Sequence, residues 1–116
     1  MELILGGAFQ GKLTWAVHAY GLAPADCCDL AVQDPQPGMR CYYHLESLTL
    51  RHSDPEKFLP LFENAILIAR EVGSGVVPLD AADRAWRERH GALLQQLAAR
   101  AAHVRRIFCG LSEVLK

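Results

Sequence analysis

The residues best suited to chemistry come first in the chain. Gly6-Gly7-Ala8-Phe9-Gln10-Gly11-Lys12 has the Gly-x-x-x-x-Gly-Lys spacing of a phosphate-binding loop. Small residues let successive backbone N–H groups turn inward as a nest for anionic oxygens. A helix starting near Lys12 adds unpaired N–H donors and the positive end of its dipole. The Lys12 ammonium reaches the β- and γ-phosphates and neutralises charge that develops during transfer. Nucleotide contact is therefore expected from Gly6, Gly7, Ala8, Phe9, Gln10, Gly11, Lys12, Leu13 and Thr14. The expected ligand class is a nucleoside triphosphate with Mg²⁺. The motif ends in Ser or Thr, whose hydroxyl holds the metal, but Leu13 stands there and Thr14 follows. Thr14 lies about 100° further round the helix, so either it takes the metal or the metal is held weakly or through water. The competing reading is a glycine-rich turn that only joins strand to helix.

Carboxylates form the second candidate set. In open α/β sheets ligands bind beyond the carboxyl ends of the strands. Ala65-Ile66-Leu67-Ile68-Ala69 reads as a buried strand, and Glu71 follows it. Glu71 is thus placed to serve a metal or accept a proton beside a triphosphate. The alternative is a solvent-facing loop glutamate. Glu46 is a second metal candidate if residues 41–45 form a strand.

These groups need elements to hold them. Residues 2–5 read as a short apolar strand buried on both faces. Leu13, Ala16, Val17 and Tyr20 repeat at helical spacing over residues 12–20, with Gly21 as the cap. Pro24, Pro35, Pro37 and Gly38 mark residues 22–40 as loop, with a short strand around residues 30–32. Residues 41–50 combine a strand and then a helix. Ser53-Asp54-Pro55-Glu56 opens a short helix through Phe62. Gly73-Ser74-Gly75 reads as a loop. Asp80 caps a long helix in which Trp86, His90, Leu93, Leu97 and Ala101 share one face. Asp80 with Arg84 and Asp83 with Arg87 are spaced for ion pairs on its solvated side. Val104 to Cys109 is a last strand, and residues 110–116 are a tail. Strands alternating with helices specify a doubly wound, three-layer α/β fold with a mostly parallel sheet, of the P-loop nucleotide-binding type.

Composition bounds the rest. The 116 residues suit one domain, 1–116. A hydrophobic share of 51% excludes a disordered chain, and a net charge of −1 supplies no field for nucleic acid or membrane. No leader or spanning segment is read in the sequence, and Cys27, Cys28, Cys41 and Cys109 match no common zinc spacing. A reduced, cytoplasmic setting is expected. Cys27-Cys28 with Cys41 is a weak metal candidate, and Trp15, Trp86 and the histidines read as packing or surface residues.

Several of these segments together carry a resemblance. The Gly6–Lys12 loop, Glu71-Val72-Gly73-Ser74-Gly75-Val76-Val77-Pro78, and the closing Cys109-Gly110-Leu111 to Lys116 resemble the bacterial adenosylcobinamide kinase/adenosylcobinamide-phosphate guanylyltransferase family. Arg84, Trp86, Arg87, Gly91 and Gln95 extend the likeness. The resemblance implies a P-loop fold, binding of GTP or ATP with Mg²⁺, phosphorylation of a hydroxyl on a corrinoid (adenosylcobinamide), a role in cobalamin biosynthesis or salvage, and self-association into a homo-oligomer. Lys12 and Glu71 are the expected catalytic groups. The family's guanylylated histidine has no counterpart, because no histidine lies between His18 and His44. Arg70, Leu94 and Leu13 also depart from the family pattern. Kinase chemistry is therefore expected in preference to guanylyl transfer. A GTP- or ATP-binding module without chemistry, or an oligomeric regulatory remnant of that family, is the alternative.

Overall fold

The computed structural model describes residues 1–72 and 80–116, so the expected Gly73-Ser74-Gly75 loop and Val76-Val77-Pro78 lie outside the described residues. Strand β1 (Glu2–Gly6) leads through the glycine loop into α1 (Lys12–Tyr20). The helix ends at Gly21, φ 62°, whose N–H returns to the Val17 carbonyl. The Arg40 guanidinium takes the Tyr20 and Gly21 carbonyls at 3.0 and 3.4 Å, so the last turn of α1 is satisfied. Strands β2 (Cys27–Asp29) and β3 (Cys41–Tyr43) precede α2 (Leu45–Arg51). A 3₁₀ turn at Pro55–Phe58 runs into the short α3 (Leu59–Phe62). Then come β4 (Ile66–Arg70), α4 (Ala81–Arg100), β5 (His103–Phe108) and β6 (Leu111–Val114).

Among the described residues the six strands form one sheet in the order β2-β3-β4-β1-β5-β6, parallel except for β6. Leu3 stands beside Leu67 on one side and Val104 on the other. Alternate side chains of these strands enter two cores. Leu3, Leu67 and Val104 pack with Leu45, Leu93 and Leu97 of α2 and α4. Ile4, Ile68 and Ile107 pack with Ala16 of α1. The continuous apolar runs of β1 and β4 are thus strands covered on both faces, and the doubly wound three-layer fold is present. No helix among the described residues is long and apolar enough to cross a membrane.

Two sequence expectations need correction. The strand expected at residues 30–32 is instead β2, ending at Asp29. There the Asp29 carboxylate accepts the Ala31 N–H at 2.9 Å, and its carbonyl accepts the N–H groups of Val32 and Gln33. This side-chain turn ends the ladder. Residues 110–116 are not a tail: β6 pairs antiparallel with β5. Cys109 and Gly110 both have positive φ, 50° and 75°, the requirement of a two-residue type I′ hairpin turn. The closing Lys116 ammonium caps α4, donating to the Ala98 and Ala99 carbonyls at 3.0 and 3.1 Å.

At its other end α4 is held by Asp80, whose Oδ1 accepts the Ala82 and Asp83 N–H groups at 2.7 and 3.3 Å. Asp80 is thus used as a cap, while Asp83 and Arg87 form the expected i, i+4 pair at 3.6 Å. Asp80→Ala is expected to cost about 1 kcal/mol, lowering the melting temperature by roughly 4 °C. Asp80→Asn should restore most of that loss in a thermal melt.

Candidate nucleotide site

The site begins where β1 ends. Gly6 is required by close approach: a Cβ there would stand 2.6 Å from the Ile107 carbonyl oxygen and 3.3 Å from Lys12 Cδ. Gly11, at φ 84°, is the residue from which α1 starts, and its carbonyl takes the Trp15 N–H at 2.9 Å. Phe9 occupies the tip, fully exposed at φ 59°. Gln10 ties the loop to the β5–β6 turn: its side-chain oxygen accepts the Cys109 N–H at 2.8 Å and its carbonyl the Gly110 N–H at 3.0 Å. The hairpin absent from the sequence reading is therefore the buttress of the loop.

Lys12 opens α1 and folds back, donating from Nζ to the Gly7 carbonyl at 2.6 Å. Burial pushes its ammonium below the ordinary lysine range, and Glu46 is the main charge that pulls it back. The loop encloses one side of a cavity of about 350 Å³. Residues 8–14 form that side, and Tyr43, His44, Glu46, Ile68 and Arg70 form the other. Gly6 and Gly7 do not line the cavity. Ala8, Phe9, Gln10, Gly11, Lys12, Leu13 and Thr14 all face the cavity.

The carboxylates are placed less simply. Glu46 lies in the first turn of α2, since β3 ends at Tyr43. The strand through residue 45 on which its metal role depended is absent. Its Oε1 accepts the Arg70 N–H at 2.9 Å, so its geometry is that of a brace between α2 and β4 whose charge faces Lys12. Glu71 is beside the loop, its N–H bonded to the Gly6 carbonyl at 3.1 Å. Its carboxylate pairs with Arg106 at 3.2 Å and does not line the cavity. Thr14 offers a hydroxyl on the exposed side of α1. The available donors are hard oxygens, which suit Mg²⁺. Among the described residues no group of three or more His, Cys, Asp or Glu side chains surrounds an ion site.

Two histidines become prominent that spacing did not mark. His44 precedes α2 at φ 61°, and its Nδ1 lies 2.7 Å from Asp29 Oδ1. His90 is fully buried. Its Nδ1 meets the Thr49 hydroxyl at 2.9 Å and its Nε2 the Arg70 carbonyl at 2.7 Å. The Trp86 indole N–H donates to the Thr49 hydroxyl at 3.1 Å and the Glu46 carbonyl at 3.2 Å. This network joins α2 and α4 to the end of β4. The hydrogen bonds that join its elements span 20 to 41 positions in sequence, so no local pattern reveals it. Only the polar His90 on the apolar stripe of α4 hinted at a partner.

The remaining candidates sit elsewhere. His18 is exposed on α1, and Trp15 packs beside Tyr20 with ring centroids 6.0 Å apart. Cys27 and Cys41 are neighbours in the β2–β3 ladder. Burial pushes the Cys41 thiol up to about 12, which keeps it neutral rather than a ready thiolate ligand.

Residues 52–115, more than half of the chain, match the model of a family described as cobinamide kinase / cobinamide phosphate guanyltransferase. The matched stretch covers β4, α4 and the β5–β6 hairpin and begins after the glycine loop. No curated protein matches the chain.

Proposed function

The chain belongs to the cobinamide kinase / cobinamide phosphate guanyltransferase family, and from that premise we propose that residues 1–116 form one nucleotide-binding unit that transfers the γ-phosphoryl group of GTP or ATP to a hydroxyl of adenosylcobinamide. The observation that carries this reading is the cavity between the Gly6–Lys12 loop and the ends of β3 and β4, with Lys12 in its wall. Loop N–H groups and the start of α1 bind the phosphates. Lys12 exchanges its Gly7 carbonyl for phosphate oxygens, and its charge compensates the transferring group. The Glu46 charge favours the ammonium form of Lys12 against burial, and the Glu71–Arg106 pair stands beside the loop. Thr14 would hold Mg²⁺, which supplies charge neutralisation at the phosphates when bound. The sequence has no histidine between His18 and His44, which favours phosphoryl over guanylyl transfer.

Leu13 favours one second reading. An apolar side chain lines the cavity where the motif places a metal hydroxyl, which suits a nucleotide-binding module without chemistry. Calorimetry with GTP and ATP separates the two. Micromolar binding that requires Mg²⁺, followed by formation of adenosylcobinamide phosphate, is the expected result. Binding indifferent to Mg²⁺, with no phosphorylated corrinoid at saturating nucleotide, would establish the module instead.

A further inference from the structure

His44 has three properties that packing does not require. It is a β-carbon-bearing residue held at φ 61°, ψ 44°, in the left-handed region that only a few per cent of non-glycine residues adopt. Its ring lies 4.8 Å from that of Tyr43 and lines the phosphate-loop cavity. Its Nδ1 is 2.7 Å from the Asp29 carboxylate. A carboxylate accepts, so Nδ1 carries the proton and Nε2 is left as the basic nitrogen. Among the described residues Nε2 makes no hydrogen bond. Asp29 is itself anchored, accepting the Ala31 N–H at 2.9 Å. Burial works to raise its carboxyl, but the His44 and Ala31 hydrogen bonds outweigh that and hold it below the usual carboxylate range.

β3 brings these parts together. Asp29 ends β2 and pairs in register with Tyr43 at the end of β3, and His44 is the next residue. The left-handed turn at His44 both opens α2 and places the ring at the mouth of the cavity. Both residues therefore stand at the carboxyl ends of parallel strands, at the β2 edge of the sheet, with the β5–β6 turn at the opposite edge.

We infer that His44 is the general base for the acceptor hydroxyl and that Asp29 is its positioning residue. This rests on the phosphotransfer reading above. In the step, the acceptor oxygen forms a bond to the γ-phosphorus as its proton passes to His44 Nε2. The bond from the γ-phosphorus to the β,γ-bridging oxygen breaks, and the nucleoside diphosphate leaves with that electron pair. The imidazolium so formed is stabilised by Asp29 and returns its proton to solvent after release.

The test uses the whole chain, with GTP or ATP, Mg²⁺ and adenosylcobinamide. His44→Gly tolerates the backbone and removes the ring, and His44→Asn is a second variant at ease in this conformation. Each is expected to lower kcat about 100-fold while nucleotide Kd, measured by calorimetry, stays within about twofold. Added imidazole should recover about tenfold of the loss in His44→Gly, since it replaces the missing base. Asp29→Asn presents an N–H to Nδ1 and moves the ring proton to Nε2. It should lower kcat about tenfold, and imidazole ¹⁵N shifts should report the altered tautomer. A kcat within threefold of the parent in both His44 variants, or a loss matched by an equal rise in Kd, would overturn the assignment while leaving the kinase reading intact. A parent protein that binds nucleotide yet transfers nothing to adenosylcobinamide would overturn the kinase reading and this base with it.

Discussion

Lys12→Ala is expected to weaken GTP and ATP binding about 100-fold, a loss of about 2.8 kcal/mol. A charge-assisted hydrogen bond to phosphate accounts for much of this. The rest comes from leaving Glu46, a principal charge acting on Lys12, opposite the triphosphate without compensation. The residual affinity would belong to the loop N–H groups and the start of α1, which the substitution leaves in place. Turnover should fall further, by about 10²- to 10³-fold at saturating nucleotide, because Lys12 is most valuable where charge accumulates in the transition state. Lys12→Arg is not a conservative control: the ammonium fits over Gly6 and under the Gly7 carbonyl at 2.6 Å, a space shaped for a point charge rather than a planar fork. Calorimetry decides the matter. Unchanged nucleotide affinity in Lys12→Ala would reduce the loop to a connection between β1 and α1.

The second large effect concerns stability. His90→Ala is expected to destabilise the fold by about 3 kcal/mol, through a buried cavity and the loss of both ring hydrogen bonds, to the Thr49 hydroxyl, which keeps its Trp86 partner, and to the Arg70 carbonyl. In a domain of this size that lowers the melting temperature by roughly 12 °C or more. The same residue gives stability a pH dependence of known sign. Burial pushes His90 below the ordinary histidine value, because the charged ring would lose its water. The unfolded chain therefore binds the proton more readily, and stability rises with pH across that interval. The contribution is complete above about pH 6.5, the unfolded value, and is lost progressively as pH falls toward the lower folded value. Denaturant melts of the parent and His90→Asn between pH 5 and 8 (a range bracketing the ordinary histidine value of about 6.5) should diverge at neutral pH and converge in acid. Parallel curves would show that the ring is already accessible to protons in the fold. Because the Nε2 partner is the carbonyl of Arg70, whose N–H binds Glu46, loosening here should also reach the cavity wall.

The sequence by itself determined the parts whose cause is local. β1 and β4 were legible because a strand covered on both faces has little choice but a continuous apolar run. α1 was legible from its 3.6-residue repeat and Gly21, and α4 from its stripe and the Asp80 cap. The phosphate loop was legible because backbone geometry alone demands glycine at Gly6 and Gly11. Parts that depend on distant partners were not legible. Residues 110–116 lack alternation, and their strand exists because β5 offers an edge and Cys109-Gly110 turns tightly enough to reach it. Asp29 and His44 meet because β2 and β3 are neighbours in the sheet, although 15 residues separate them in the chain. Glu46 was sought at a strand end and stands on a helix, since the left-handed turn at His44 ends β3 sooner than side-chain propensity indicates. Local periodicity records which face of an element is buried. Which polar groups are brought within hydrogen-bonding distance is decided by strand order and crossover direction, and those follow from packing the whole sheet between its helices.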